Sequence, residues 1–344
     1  MSAVTNQPQA CSDMLLKVDH LKKYFPLTKN LFEKSARVLK AVDDVSFTLN
    51  KGEVLGLVGE SGCGKTTLGR LIMRAYEPTE GEVHLNIDGS MVNLTKLPPE
   101  ELRKVRRHFQ MVFQDPYSSL DPRKTVMDIV GEPMKVNHIA FGKELEEQVA
   151  YYMDIVGLDS RHIRRYPHAF SGGQRQRIGI ARALATNPKL LICDEAVSAL
   201  DVSVQAQILN LLMDLQESMG LTYVFISHGL SAVRHISTQV AVMYVGHIVE
   251  KGPADDLYER PLHPYTEALL SAAPDADLDV KRKRIILPGE VANPVNAPSG
   301  CPFHPRCMYC KDICKQQKPV MEEVLPNHFC SCHRARELEL SGVK

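Results

Sequence analysis

The sequence predicts an α/β protein built around a parallel sheet, and three observations carry that prediction. Short, mainly apolar runs at 53–58, 189–193 and 222–226 read as strands buried on both faces. A glycine-rich loop, Gly59 to Thr67, joins the first of these to a helical segment. An acidic pair, Asp194-Glu195, closes the second, at the carboxyl strand end where open α/β sheets bind ligands.

The elements follow in order. Leu15 to Phe25 and Val38 to Leu49 alternate as strands, and Asn50-Lys51-Gly52-Glu53 is a turn. Between the two strands, 26–36 is a polar, lysine-bearing loop. Leu68 to Arg74 reads as a helix. The middle of the chain is helix-rich, with Lys143 to Val156 and Gly173 to Thr186 near helical spacing. Val204 to Met219 is amphipathic, with Ile208, Leu211, Leu212 and Leu215 on one stripe. Val240 to Val249 reads as a strand pair turned at Gly246. From about Gly252 the texture changes: prolines become frequent, a basic run appears at 281–284, and cysteines gather. A boundary is expected there, so that the 344 residues divide into a large domain at 14–252 and an extension at 253–344.

Composition narrows the function. Hydrophobic residues make up 44% of the chain, enough for a sizeable core, and 41 basic residues balance 41 acidic ones. A nucleic-acid partner would ordinarily leave a basic excess, so none is expected. No apolar run approaches the ~20 residues that span a bilayer. The polar stretch from Met1 to Ser12 lacks the basic-then-apolar order of a signal peptide. A cytoplasmic chain that reaches a membrane only through partners is the expectation. Of nine cysteines, six crowd into 301–332, which in a reducing compartment suggests metal before disulfide.

Gly59-Glu60-Ser61-Gly62-Cys63-Gly64-Lys65-Thr66-Thr67 fits the G-x-x-x-x-G-K-[ST] loop. Its glycines let successive backbone N–H groups face phosphate oxygens, and the following helix presents its positive end. Lys65 can neutralise the β- and γ-phosphates of a nucleotide, and Thr66 can ligate Mg²⁺. Asp194 would hold Mg²⁺ directly or through water, and Glu195 would polarise the attacking water. Alone, the acidic pair would be a solvated strand end; the phosphate loop changes that reading. Phe170-Ser171-Gly172-Gly173-Gln174 opens a helix whose first N–H groups are free to bind an anion.

With this last segment the chain resembles the ABC ATPases, whose signature is LSGGQ followed by a basic helix. Phe170 replaces the usual Leu. Over about Leu15 to Gly252 the remaining motifs occur in order. The resemblance implies that Gln114 is the loop glutamine that senses Mg²⁺ and water and touches the membrane partner. It makes Ser198-Ala199-Leu200-Asp201 the loop after the acidic pair, His228 the switch histidine at the γ-phosphate, and Phe25 the aromatic that stacks on adenine, with Tyr24 the neighbouring candidate. Ala196 stands where many relatives have Pro, and Gly229 where many have Asp. The implied fold is a P-loop NTPase (RecA-like) core with an antiparallel β subdomain and an inserted helical subdomain at about 115–186, followed by a Cys-rich extension. The implied assembly pairs two subunits, with ATP between one phosphate loop and the other's Ser171-Gly172-Gly173-Gln174 and Asp201.

A narrower resemblance, to the dipeptide/oligopeptide and nickel importer ATPases, rests on Gln114 to Arg123, on Ser198 to Ser203, on Pro261-Leu262-His263-Pro264-Tyr265-Thr266, and on the tail from Pro298 to Cys332. It implies a second, nonidentical ATPase, two permease chains and an extracytoplasmic solute-binding protein, and places the chain on the cytoplasmic face of a bacterial inner membrane. Cys301, Cys307, Cys314 and Cys332 supply four thiolates, the number that an iron–sulfur cluster or a structural zinc requires. The resemblance favours a [4Fe–4S] cluster, with Cys310 and Cys330 as extras. Zinc and unliganded thiols remain the alternatives, and a non-transport ABC ATPase is the rival at the level of function.

Overall fold

The computed structural model describes residues 13–27, 37–198, 200–272 and 284–343. The polar leader at 1–12, most of the loop at 28–36, Ala199 and the start of the basic run at 281–283 lie outside the described residues.

Two sheets share the chain. The first is antiparallel, with strands β1 (Met14–Pro26), β2 (Val38–Asn50), β4 (Glu80–Ile87) and β5 (Ser90–Asn93) in the order β2-β1-β4-β5. The alternation seen in the sequence is that of half-buried strands: Val42, Val45, Phe47 and Leu49 of β2 turn inward while their neighbours face out. The pair β4-β5 was not foreseen. In β4, Val83, Leu85 and Ile87 alternate with Glu82, His84 and Asn86, and the strand completes the sheet by pairing with β1.

The second sheet has eight strands. Its parallel heart is β9 (Gln239–Tyr244), β3 (Val54–Val58), β8 (Thr222–Ile226), β7 (Leu190–Asp194) and β6 (Phe109–Val112), adjacent in that order. Every residue of β3, β7 and β8 is buried, which is why these strands read as short continuous apolar runs and not as alternation. Helix α1 (Lys65–Ile72) follows β3 and packs on this sheet through Leu68, Leu71 and Ile72. A short helix, α2 (Pro99–Val105), leads into β6.

Between β6 and β7 the chain makes a helical excursion: α3 (Val126–Val136), α4 (Gly142–Ile155) and α5 (Gly172–Leu184). These helices pack on one another through Ile129, Val130, Met134, Leu145, Val149, Met153 and Ile178. After β7 come α6 (Val202–Met219), β8, α7 (Leu230–Ile236) and β9.

The tail is joined to the main sheet. Strand β10 (His247–Pro253) turns back antiparallel on β9 and crosses the expected boundary at Gly252. Helices α8 (Ala254–Glu259), α9 (Pro264–Ser271) and α10 (Asp312–Gln316) follow, and then the hairpin β11 (Glu322–Leu325) and β12 (His328–Cys330) adds itself to β10. A buried cluster fastens it. Glu250 Oε1 lies 2.8 Å from His328 Nε2, and the two Glu250 oxygens accept the N–H groups of Leu262 (2.8 Å) and His263 (2.9 Å). A Cβ at Gly252 would stand 2.7 Å from the His328 ring, so this position must remain glycine.

Candidate functional site

The glycines of the loop at 59–67 are required by geometry. Gly59 and Gly64 have φ of 151° and 110°, and a Cβ at either would meet a backbone carbonyl oxygen (Met243 or Ala41) at 2.2 Å. The loop wraps the start of α1. Lys65 is buried and its Nζ donates to the carbonyls of Gly59 (2.7 Å) and Glu60 (3.0 Å). Cys63 is also buried, its thiol pushed up by desolvation, and its carbonyl accepts the N–H of Gly246 (2.9 Å). Ser61 and Gly62 are exposed, while Thr66 and Thr67 are partly so.

Beside the loop, the Thr66 hydroxyl donates to Asp194 Oδ1 at 2.9 Å. Asp194 ends β7 and is 4% exposed, and burial pushes its carboxyl pKa upward, the Thr66 bond opposing this only in part. A divalent cation shared by Thr66 and Asp194 would supply the positive charge that this desolvated carboxylate needs, so the donor set fits Mg²⁺.

Three neighbouring parallel strands deliver the next group. Glu195, just past β7, has φ of 48°, a left-handed conformation unusual for a non-glycine and held here by its N–H on the Ile226 carbonyl (2.9 Å). Gln114, after β6, donates from Nε2 to Glu195 Oε2 at 2.7 Å. His228, after β8, has Nδ1 3.7 Å from the same oxygen. Residues scattered over 114–228 in the chain therefore meet at one carboxylate oxygen, next to the Thr66–Asp194 pair.

Ser171 and Gln174 form a capping box at the start of α5. The Ser171 Oγ accepts from the Gln174 N–H (3.3 Å), and Gln174 Oε1 accepts from the Ser171 N–H (2.9 Å). Gly173 packs against α6, where a Cβ would lie 2.5 Å from Val204 Cγ1. Asp201 caps α6 by accepting the Val204 N–H (3.0 Å) and the Ser203 hydroxyl (2.8 Å). Among the described residues, no hydrogen bond joins 171–174 or Asp201 to the phosphate loop of the same chain. Ser171 and Gln174 are exposed.

Phe25, near the end of β1, makes an edge contact with Tyr76 (centroids 5.6 Å apart) and keeps part of its ring exposed. The Tyr24 hydroxyl is committed inward, donating to Asp43 Oδ1 at 2.5 Å.

Cys301, Cys307, Cys314 and Cys332 line one cavity of about 10 Å³, together with His333. Burial pushes the Cys301 and Cys307 thiols up to about 12 and about 11. Cys310 and Cys330 do not line it. Among the described residues, no three His, Cys, Asp or Glu side chains stand ready-placed to hold a metal ion, so the four thiols face one space without forming a finished ligand cage.

Two contacts to the phosphate loop were not anticipated. Arg306, between two of these cysteines, binds both carboxylate oxygens of Glu60 (2.7 and 3.1 Å), and the Tyr265 hydroxyl accepts the Glu60 N–H (2.9 Å). Both residues lie in segments whose resemblance was noted, but nothing in their spacing indicates that they reach residue 60.

Comparison with known proteins gives two family matches: ABC transporter over residues 42–198, and oligopeptide/dipeptide transporter, C-terminal region, over residues 249–314. Among similar proteins, the oligopeptide transport ATP-binding protein AppF of Bacillus subtilis is 52% identical over 94% of this chain and 98% of its own length. The dipeptide transport ATP-binding protein DppF of Escherichia coli is 48% identical over 93% and 94%. A solved dimer of the ATP-binding cassette MJ0796 in a post-hydrolysis state with ADP and Pi shares the fold at a TM-score of 0.61. It is 28% identical and covers 70% of this chain and 99% of that one.

Proposed function

Because this chain belongs to the ATP-binding proteins of the ABC transporter family, we propose that it powers uptake of di- and oligopeptides through a membrane permease. It is an ATPase, and its ATP sites are composite, formed between paired subunits. The C-terminal match at 249–314 supports peptides over other solutes, nickel being the alternative, and over a non-transport ABC ATPase.

The residue roles are proposals that rest on the geometry. Gly59, Ser61, Gly62, Cys63, Gly64, Lys65, Thr66 and Thr67 wrap the phosphates, and Phe25 stacks on the adenine. Thr66, Gln114 and Asp194 would hold Mg²⁺, which supplies charge neutralisation at the β- and γ-phosphates. The convergence of Gln114 and His228 on one oxygen of Glu195 carries the catalytic reading. With that oxygen oriented, Glu195 takes a proton from the water that attacks the γ-phosphorus, the bond to the β–γ bridging oxygen breaks, and ADP and inorganic phosphate leave as the proton passes on to the phosphate. His228 then stabilises charge on the γ-phosphate. Ser171, Gly172, Gly173, Gln174 and Asp201 serve the partner's site: the free N–H groups at the start of α5 suit a phosphate.

The partners proposed are a second, nonidentical ATPase, two permease chains and an extracytoplasmic solute-binding protein. This places the chain peripherally on the cytoplasmic face of a bacterial inner membrane. No helix among the described residues is long and apolar enough to cross a membrane. Exposed Phe113 and Tyr117, beside Gln114, offer a docking face for the permease. The division at Gly252 is kept as one of roles: catalysis at 14–252, with the extension at 253–344 fastened to it.

In the tail we propose a thiolate-held metal centre. Four cysteines around one cavity support it, and the family resemblance favours a [4Fe–4S] cluster over zinc or unliganded thiols. Zinc, which four thiolates also suit, is the second reading. The test of the whole reading is reconstitution with candidate permeases and a peptide-binding protein from the same source. Peptide-loaded binding protein should stimulate ATP turnover and drive peptide into vesicles. Stimulation by nickel and not by peptides would overturn the peptide assignment.

A further inference from the structure

The phosphate loop of this chain carries an acidic side chain of its own. Glu60 follows Gly59 directly, and a full negative charge there opposes the triphosphate that the loop has to receive. The structure places one cation on it. Arg306 is 7% exposed and holds both Glu60 oxygens in a two-point contact, 2.7 Å from Nη1 and 3.1 Å from Nη2. The same residue is gripped at its backbone, where the Glu60 N–H donates to the Tyr265 hydroxyl at 2.9 Å. Tyr265 is fully buried and set in an aromatic cluster with Tyr244 (4.7 Å) and Phe303 (5.4 Å). On the other side of Glu60, its carbonyl accepts from Lys65 Nζ at 3.0 Å.

Three groups therefore fix one residue of the loop, and two of them, Tyr265 and Arg306, come from the extension. A bidentate arginine is chosen where orientation counts as well as charge. Both terminal nitrogens of Arg306 bind Glu60, its Nε has no partner, and the Tyr244 hydroxyl beside the guanidinium adds to the stabilisation of its charged form, for which Glu60 is the first cause.

We propose that Arg306 and Tyr265 are positioning residues for ATP binding: Arg306 neutralises and orients Glu60, Tyr265 fixes the Glu60 peptide, and the extension thereby sets the affinity of the phosphate loop for nucleotide. The inference rests on the ATP-binding reading of that loop and extends it to residues outside the cassette. It needs no particular metal in the tail, although Arg306 lies between Cys301 and Cys307 and any movement there reaches the loop through it.

The test is a double-mutant cycle on the full-length chain, read as equilibrium ATP affinity and as KM and kcat of ATP turnover. Arg306→Gln leaves Glu60 unneutralised and should weaken ATP binding about five- to tenfold, in KM and not in kcat. Glu60→Gln alone should leave affinity unchanged or raise it, since the repelling charge is gone. Combining the two should restore affinity to within about twofold of wild type. A purely structural role for Arg306 predicts no such rescue. Thermal unfolding of each variant separates misfolding from the electrostatic effect, and if Arg306→Gln does not fold, Glu60→Gln still decides by its sign. Weaker ATP binding by a folded Glu60→Gln, a folded Arg306→Gln within twofold of wild type, or a double variant as weak as Arg306→Gln overturns the proposal. Wild-type protein that binds no ATP would instead overturn the reading of the loop itself.

Discussion

Replacing Glu195 with Gln removes the charge at the meeting point of Gln114 and His228 while keeping the side chain's shape. The amide oxygen of the variant can still accept from Gln114, so the 2.7 Å contact survives as a neutral hydrogen bond. His228, 3.7 Å away and largely exposed, loses an attraction worth under about 1 kcal/mol. The fold should therefore be almost untouched, as should the contacts of Lys65 and Thr66. What disappears is the group that accepts the proton of the attacking water, an effect of about 10² to 10⁴ in rate, or roughly 3 to 5 kcal/mol of barrier. Phosphate release at saturating ATP should fall by that factor, with ATP affinity within twofold of wild type. Because hydrolysis is blocked and binding is not, ATP-bound pairs should accumulate, visible as a shift in size-exclusion elution on adding ATP and Mg²⁺. Lys65→Ala is the control of opposite kind: it strips a charge from the phosphate site and should lose binding itself. Turnover by Glu195→Gln within a few-fold of wild type would refute the assignment of Glu195 as the base.

Two further outcomes are expected. Ser171→Arg should act across the interface: in a mixed pair with one altered subunit, the site containing the unaltered subunit's phosphate loop should fail, while labelled-ATP binding at Lys65 of the altered subunit persists. Loss of binding to the isolated altered subunit would contradict this. Cys307→Ser with Cys314→Ser should remove metal from anaerobically purified protein, brown if the centre is iron–sulfur and colourless with stoichiometric zinc if it is not, and should speed proteolysis after about residue 273. Metal-free wild-type protein from such a preparation, with an equally resistant tail, would sink the metal centre.

How much of this was legible in the sequence depends on the range of the interactions. The fully buried strands at 54–58, 190–194 and 222–226 announce themselves, because burial on both faces imposes an unbroken apolar run. So does the phosphate loop, whose glycines answer to local constraints on φ and to close carbonyl contacts. The order of Gln114, Glu195 and His228 could be read from the motifs, but their meeting at one oxygen could not, since that follows from β6, β7 and β8 being neighbours in the sheet. The first helix begins at Lys65 and not at Leu68 because the loop's last left-handed glycine, Gly64, is itself the cap. The antiparallel pair at 80–93 carried a readable signal in its first strand, where Val83, Leu85 and Ile87 alternate with Glu82, His84 and Asn86, while the second strand, at four residues, is too short to show a period.

The tail shows the limit most clearly. Its prolines and cysteines suggested a separate appendage, weakly apolar and in need of metal to hold it. Yet Glu250 and His328 are both fully buried and hydrogen-bonded to one another, and removing one partner strands the other's polar atoms at a cost of about 1 to 3 kcal/mol. That contact, the hairpin pairing on β10 and the Arg306–Glu60 clamp all join residues 78 or more positions apart, which no periodicity reveals. They also change what the extension can be. A segment that adds strands to the catalytic sheet and grips the phosphate loop cannot move freely without the loop responding. A metal centre held as proposed by Cys301, Cys307, Cys314 and Cys332 would therefore include a ligand, Cys307, one residue from Arg306, on a direct mechanical path to Glu60 and the site of ATP.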